Sequence, residues 1–235
     1  MYKYLPAIVA LLITSSATAL DISANGGLNS EYIFRGIPQS DGKAAAFGGL
    51  DLEQSGFYLG TWASTVDAGP SLTMPTPPAQ PELVSSGGDG LEIDFYGGYG
   101  GEIGDFSYGI GGTVYTYTDK FDDEYRELNL GAGWKWFSVD AAFGEYDNFD
   151  GPRQNYQFYA IKAEYQGLYA TAGIFEDDFN GNYYEAGYGN TLSVGGTELF
   201  DYSLSVIYSD DKLLGGADDI NIVAQISRTF SLFNR

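Results

Sequence analysis

From residue 20 onward, apolar and polar residues alternate with a period of two, in segments of about ten residues divided by turn residues. Leu91, Ile93, Phe95, Gly97 and Tyr99 fall on one face, and Glu92, Asp94, Tyr96 and Gly98 on the other. Leu128, Leu130, Ala132, Trp134 and Trp136 oppose Glu127, Asn129, Gly131, Gly133 and Lys135. Tyr159, Ile161, Ala163 and Tyr165 oppose Phe158, Ala160, Lys162 and Glu164. The segments at Tyr202–Ser209 and Ile220–Thr229 repeat the pattern, with Ile207 and Val223 as apolar exceptions on the polar face. Successive side chains of a strand point to opposite sides, so each segment predicts a strand with one oily and one mainly polar or glycine-rich face.

Soluble β-sandwiches alternate in the same way. Two features favour a transmembrane barrel. Aromatic residues end several apolar stripes (Tyr99, Trp136, Tyr159, Tyr165 and Tyr208), where an interfacial girdle would place them. Glycine and serine separate the ionisable residues of the polar faces, as suits side chains directed into a confined lumen.

The connections alternate in length. Gly36–Gly42, Asp67–Gly90, Asp119–Asp123, Asp147–Arg153, Glu176–Asn182 and Asp210–Asp219 are the longer ones. Glu53–Ser55, Gly101–Asp105, a break near Phe137, Gln166-Gly167 and Gly195–Glu198 are short. Short periplasmic turns and long outer loops belong to outer-membrane barrels. The reading is therefore an all-β, closed, antiparallel up-and-down barrel of twelve strands, with ten and fourteen as the neighbouring even counts. Twelve strands tilted by ~40° close at a Cα radius near ~12–13 Å, and inner-face glycines are expected to keep part of that width open.

The N-terminus adds a compartment. Lys3, the apolar run Leu5–Ile13 and Ala17-Thr18-Ala19 follow the plan of a secretory signal peptide, which predicts residues 1–19 as a leader and 20–235 as the barrel. The composition then removes functions. The chain has no Cys and no His, hence no thiol chemistry, no usual general base and no imidazole ligand. Eleven Lys and Arg face 32 Asp and Glu, a net charge of −21 that disfavours nucleic acid. With 20 Tyr, 15 Phe and 3 Trp the acidity does not imply disorder.

By parity the inner face carries Arg35, Asp51, Glu92, Asp94, Glu127, Lys135, Asp140, Lys162, Glu164 and Glu185. Carboxylates dominate this lumen-lining set, and a tube lined that way favours cations. It predicts a weakly cation-preferring passage for small hydrophilic solutes; a lumen sealed by mutual ion pairs is the competing outcome. No catalytic, cofactor-binding or metal-ligating residues are assigned, and the chain is read as no enzyme. Asp67–Gly90 holds Pro70, Pro75, Pro77, Pro78 and Pro81, so it reads as an outer loop or a lid over the mouth. Asp122-Asp123-Glu124, Glu176-Asp177-Asp178, Asp210-Asp211 and Asp218-Asp219 would suit divalent cations bridging to lipopolysaccharide, or simply solvated turns.

Three blocks carry a family resemblance. Ser30-Glu31-Tyr32-Ile33-Phe34-Arg35-Gly36-Ile37 with Gln39-Ser40-Asp41-Gly42 comes first, followed by Gly56–Ser64 and Leu91–Tyr99 running into Gly104–Tyr108. Together they resemble the TorF-type porins of proteobacterial outer membranes. That resemblance implies an outer-membrane barrel, with outer-membrane lipid and lipopolysaccharide as its surroundings, and no defined substrate residues. The tail departs from it, because Phe230 is followed by Ser231-Leu232-Phe233-Asn234-Arg235, so that either Phe230 or Phe233 ends the last strand. The rival readings are a closed, non-conducting barrel acting through its acidic outer loops, and a secreted soluble β-sandwich.

Overall fold

The computed structural model describes residues 20–73, 82–85 and 89–234. The leader expected at residues 1–19 lies outside them. So does the middle of the proline-rich connection, of which Pro70–Thr73 pairs with Glu82–Ser85 as a small hairpin.

Twelve antiparallel strands close into one barrel. In chain order they are β1 (Asp21–Asn29), β2 (Ala45–Gln54), β3 (Phe57–Val66), β4 (Gly90–Ile103), β5 (Phe106–Tyr117), β6 (Tyr125–Trp134), β7 (Phe137–Tyr146), β8 (Gln154–Tyr165), β9 (Leu168–Asp177), β10 (Gly181–Val194), β11 (Thr197–Ser209) and β12 (Asp219–Asn234). Each pairs with its neighbour in sequence, and β1 closes on β12. The expected count and up-and-down order are therefore those observed. The one helix among the described residues is the single turn Asp211–Leu214, and no helix there is long and apolar enough to cross a membrane.

The short connections are tight because their residues accept positive φ. Ser55 and Gly56 (φ 53° and 84°) form a two-residue turn whose twist matches that of the flanking strands. The connection expected at Glu176–Asn182 is shorter than its composition suggests, since β9 runs to Asp177 and β10 starts at Gly181. The turn after β6 consists of Lys135 and Trp136, which leaves Phe137 as the first residue of the next strand.

The outward face is apolar around the barrel. Leu50, Leu59, Phe95, Ile110, Leu128, Val139, Ile161, Ile174, Leu204 and Ile222 are all exposed there, a surface suited to lipid rather than water. Phe57, Phe106, Trp134, Phe137 and Tyr165 gather outward at the short-turn end, with Phe57 against Tyr99 (centroids 4.9 Å apart) and Trp136 against Tyr165 (5.2 Å), as an interfacial girdle requires.

The tail resolves its own register. Phe230 pairs with Ala24 and Phe233 with Ile22, both of which face outward, while the ladder slips between Ile22 and Ser23. Two residues three apart point to opposite faces in a regular strand. The bulge at Leu232 inserts one extra residue, and both phenylalanines reach the lipid side.

The inner glycines behave differently from the expectation that they leave width open. A Cβ on Gly111 would meet the Tyr58 hydroxyl at 2.0 Å, one on Gly173 the Tyr183 ring at 2.2 Å, and one on Gly60 the Tyr96 ring at 2.4 Å. These glycines are where inward tyrosine rings lie flat across the adjacent strand. Aromatic rings, rather than water, occupy much of the space that the missing side chains leave.

Candidate functional site

The connection between β1 and β2 enters the barrel. Ile33–Phe34 pairs with Ile37–Pro38, and Arg35 and Gly36 form the tip with φ values of 49° and 83°. A two-residue turn with both φ positive fits a tight hairpin, and glycine is required at its second position by space as well. A Cβ on Gly36 would lie 2.5 Å from Cβ of Tyr183 on the wall. The segment is tied at its base: Tyr32 N–H donates to Ser40 Oγ (2.9 Å), Gln39 N–H to the Tyr32 carbonyl (2.8 Å) and Asp67 N–H to the Gln39 carbonyl (2.9 Å).

Tyr32 and Arg35 are buried against the wall, while Ile33, Phe34, Ile37 and Pro38 are half-buried. Tyr32 is 1% exposed and donates its hydroxyl to Glu92 Oε1 at 2.7 Å. Arg35, 9% exposed, forks onto Glu127 with Nη1–Oε1 at 2.5 Å and Nη2–Oε2 at 3.0 Å. Glu127 also accepts from Tyr115 (3.0 Å), Tyr156 (2.8 Å) and Asn129 (2.8 Å), so both of its oxygens are fully used. Such satisfaction is what a buried ion pair needs to offset desolvation. The guanidinium carbon lies 4.2 Å from the Phe158 ring centroid and 4.8 Å from that of Phe34. Ser209 Oγ donates to the Gly36 carbonyl at 2.6 Å.

This arrangement explains the two apolar exceptions. Ile207 belongs to a buried cluster with Phe158, Phe175 and Tyr183, against which Ile33, Ile37 and Val223 pack. An apolar inner face there is the seat of the hairpin. Phe179, between β9 and β10, and Leu213 of the helical turn pack on the same cluster; the Phe179 ring stacks on Tyr156 at 4.7 Å. All these contacts lie in the half of the barrel nearer the long loops. The other half presents Asp51, Glu53, Ser138, Asp140, Lys162, Glu164, Thr191 and Asp201 inward, and Glu185 faces inward beside Ile207.

The residues singled out from parity are placed as follows. Asp51, Glu92, Asp94, Glu127, Asp140, Lys162, Glu164 and Glu185 have inward positions on strands. Arg35 reaches the lumen from the hairpin tip. Lys135 does not: it sits in the turn after β6 with φ 55°, its ammonium 3.6 Å from Asp105 and 4.8 Å from the Trp134 ring centroid. Parity fails there because the strand ends one residue earlier.

Among the inward groups, Lys162 pairs with Glu164 at 2.8 Å, Asp51 accepts from Tyr96 at 2.5 Å, and Glu185 accepts from Tyr169 at 2.8 Å. Asp94, 5% exposed between Trp62 and Tyr115 on the neighbouring strands, has one oxygen with no partner. Period-two parity places Tyr96 inward, but not the inward Tyr58, Tyr115, Tyr156, Tyr169 and Tyr183. Their signal is the tyrosine-to-glycine pairing across strands, which only the register reveals.

Several carboxylates of the acidic loops are held by neighbouring groups. Asp122 accepts from Tyr125 and Tyr146 (both 2.7 Å), and Asp123 from the Phe149 N–H (2.6 Å). Asp210 caps the helical turn through the Leu213 N–H (2.9 Å). Among the described residues no group of three or more carboxylates is arranged to hold a metal ion. At the rim, the Lys43 ammonium donates to Asp67 and holds that carboxyl below its usual range.

The chain is similar in fold to a KdgM porin, with a TM-score of 0.50 at 7% identity over 91% of this chain and 99% of that one. Looser overlaps are with Pseudomonas aeruginosa OccK2 solved with glucuronate and an anion-selective porin from Comamonas acidovorans. The first has a TM-score of 0.38 at 12% identity, covering 92% of this chain and 67% of the other. The second has 0.37 at 9%, covering 92% and 99%. No curated protein matches the chain by sequence. The family model described as "Bacterial protein of unknown function (Gcw_chp)" matches residues 14–213, a description other than the TorF-type one that the sequence blocks resemble.

Proposed function

The chain belongs to the Gcw_chp family of bacterial proteins, and we propose that it is an outer-membrane channel of the porin class for small hydrophilic solutes, with a weak preference for cations. The observation that carries this reading is the closed barrel with an apolar outer face and an inner face rich in carboxylates. In a low-dielectric tube, inward Asp51, Glu53, Glu92, Asp94, Asp140, Glu164, Glu185 and Asp201 outweigh Lys162, and such an excess attracts cations and repels anions. The fold shared with a KdgM porin, the resemblance to TorF-type porins and the leader-like pattern of residues 1–19 support the same reading and a Gram-negative outer-membrane location. Planar-bilayer recording of the purified protein tests it: discrete conductance steps with cations favoured are expected, and clear anion selectivity would refute the preference.

A second reading has its own observation. The inserted hairpin, Phe179 and Leu213 pack side chains into the outer half of the lumen, which supports a closed barrel whose role lies in its outer loops. Absence of any conductance from folded, inserted protein would select it.

A further inference from the structure

Arg35 occupies a cradle that the barrel wall makes almost alone. The anionic base, Glu127, is on β6. Its orienting hydroxyls come from Tyr115 on β5 and Tyr156 on β8, and its amide donor Asn129 is on its own strand. The aromatic floor is Phe158 on β8. Tyr156 reaches Glu127 across the intervening β7 because Gly144 stands between them: a Cβ there would lie 2.1 Å from the Tyr156 ring. The hairpin supplies only the arginine and the Phe34 ring.

The contacts are those of guanidinium recognition, with a carboxylate taking the planar fork through two parallel bonds and a ring beneath the plane. They engage the two terminal nitrogens. Nε, the atom that ties the group to the chain, is buried and has no partner. The wall therefore reads the part of the group that any guanidinium shares, and ignores the part specific to a tethered arginine.

We propose that Glu127, Phe158, Tyr115 and Tyr156 form a binding site for guanidinium compounds in which Arg35 is a tethered occupant, so that a soluble guanidinium and the hairpin tip compete for one carboxylate. With the hairpin in place, the high effective concentration of the tether keeps the site filled. With the tip withdrawn, the wall stays intact and the site takes a solute from the lumen. The site deepens the cation-channel reading, and only its electrical readout rests on that reading.

The test replaces the occupant and supplies a substitute. Purified Arg35→Ala protein in detergent is heated with methylguanidinium or, at equal ionic strength, methylammonium, and the loss of the heat-modifiable gel form is followed. Methylguanidinium is expected to raise the midpoint of Arg35→Ala, and methylammonium to raise it less. The wild type, whose site is filled, and Arg35→Ala/Glu127→Gln are expected not to respond. Equal responses to the two ions, or an equal shift in the double variant or the wild type, overturn the site. In planar bilayers, methylguanidinium is expected to block Arg35→Ala at a concentration about tenfold or more below that for methylammonium, the ratio a fork on a charged acceptor commands. If Arg35→Ala does not fold, Arg35→Gln, which keeps a polar side chain but loses both the charge and the fork, takes its place in both assays. If no chain conducts, the channel reading falls and the melting assay alone decides the site.

Discussion

Tyr32 and Glu92, 60 positions apart in the chain, share a hydrogen bond of 2.7 Å inside the barrel, and each is 1% exposed. With Arg35 on Glu127 and Ser209 on the Gly36 carbonyl, it fixes the inserted hairpin to the wall at three places. A hydroxyl donating to a buried carboxylate contributes about 1.5–3 kcal/mol. Tyr32→Phe keeps the ring against Trp62 and removes only that donor. It is expected to lower thermal stability by about that amount and to make the 30–44 segment more susceptible to added protease, with the barrel otherwise intact. Unchanged cleavage of the segment would show that this bond does not hold it.

Gly36→Ala strikes the tip itself. The residue has φ 83°, and the new methyl would meet Tyr183 Cβ at 2.5 Å and Ser209 Oγ at 2.9 Å. Strain of about 1–3 kcal/mol follows, and the tip is expected to lift, loosening Arg35 from Glu127. Single-channel recording should show larger or more frequent open steps than the wild type. A conductance identical to wild type would mean that the tip does not limit the passage.

Lys43 and Asp67 give a pH signature at the rim. The hydrogen bond from Lys43 lowers the Asp67 pKa, so this pair's contribution is present above the ordinary carboxylate pKa and is lost as pH falls through the lowered value. Carboxyl titration followed by NMR should give Asp67 a midpoint below that of a free aspartate, and Lys43→Gln should move it upward. A midpoint unmoved by that substitution would contradict the pairing. Lys43 is exposed and Asp67 half-buried at the rim, so little effect on global stability is expected.

The lipid-facing assignment is tested by charge. Ile222 is 65% exposed on the outer face of β12, whereas Ser227 on the same strand faces inward. Ile222→Arg is expected to cost about 2–4 kcal/mol if that position lies near the bilayer midplane, and to reduce folding into vesicles. Ser227→Arg should fold nearly as well as wild type. The reverse order would invert the barrel's faces.

Much of this architecture is legible in the sequence, because period-two alternation and turn residues are local signals. The eleven connections and the inward positions of Glu92, Glu127 and Lys162 follow from them directly. Lys135 was misplaced because parity was carried past Trp134 into a turn that resets it. The inserted hairpin was not read, since its anchors are non-local: Arg35 meets Glu127 across 92 positions, and Gly36 meets Ser209 across 173. Two residues did carry the signal. Ile207 and Val223, apolar where the lumen should be polar, mark the surface that the hairpin covers. The glycines facing tyrosines stayed hidden for a related reason, because neither residue shows its partner until the register is known.

A narrow cation-preferring passage through this barrel would show most plainly in the reversal potential across a salt gradient. With purified protein in a planar bilayer separating concentrated from dilute potassium chloride, a reversal potential of the sign set by potassium is predicted. Neutralising Asp51, Asp140 and Glu185 to their amides should move it toward zero. A reversal potential of the sign set by chloride, or no current from protein shown to be folded and inserted, would contradict the claim.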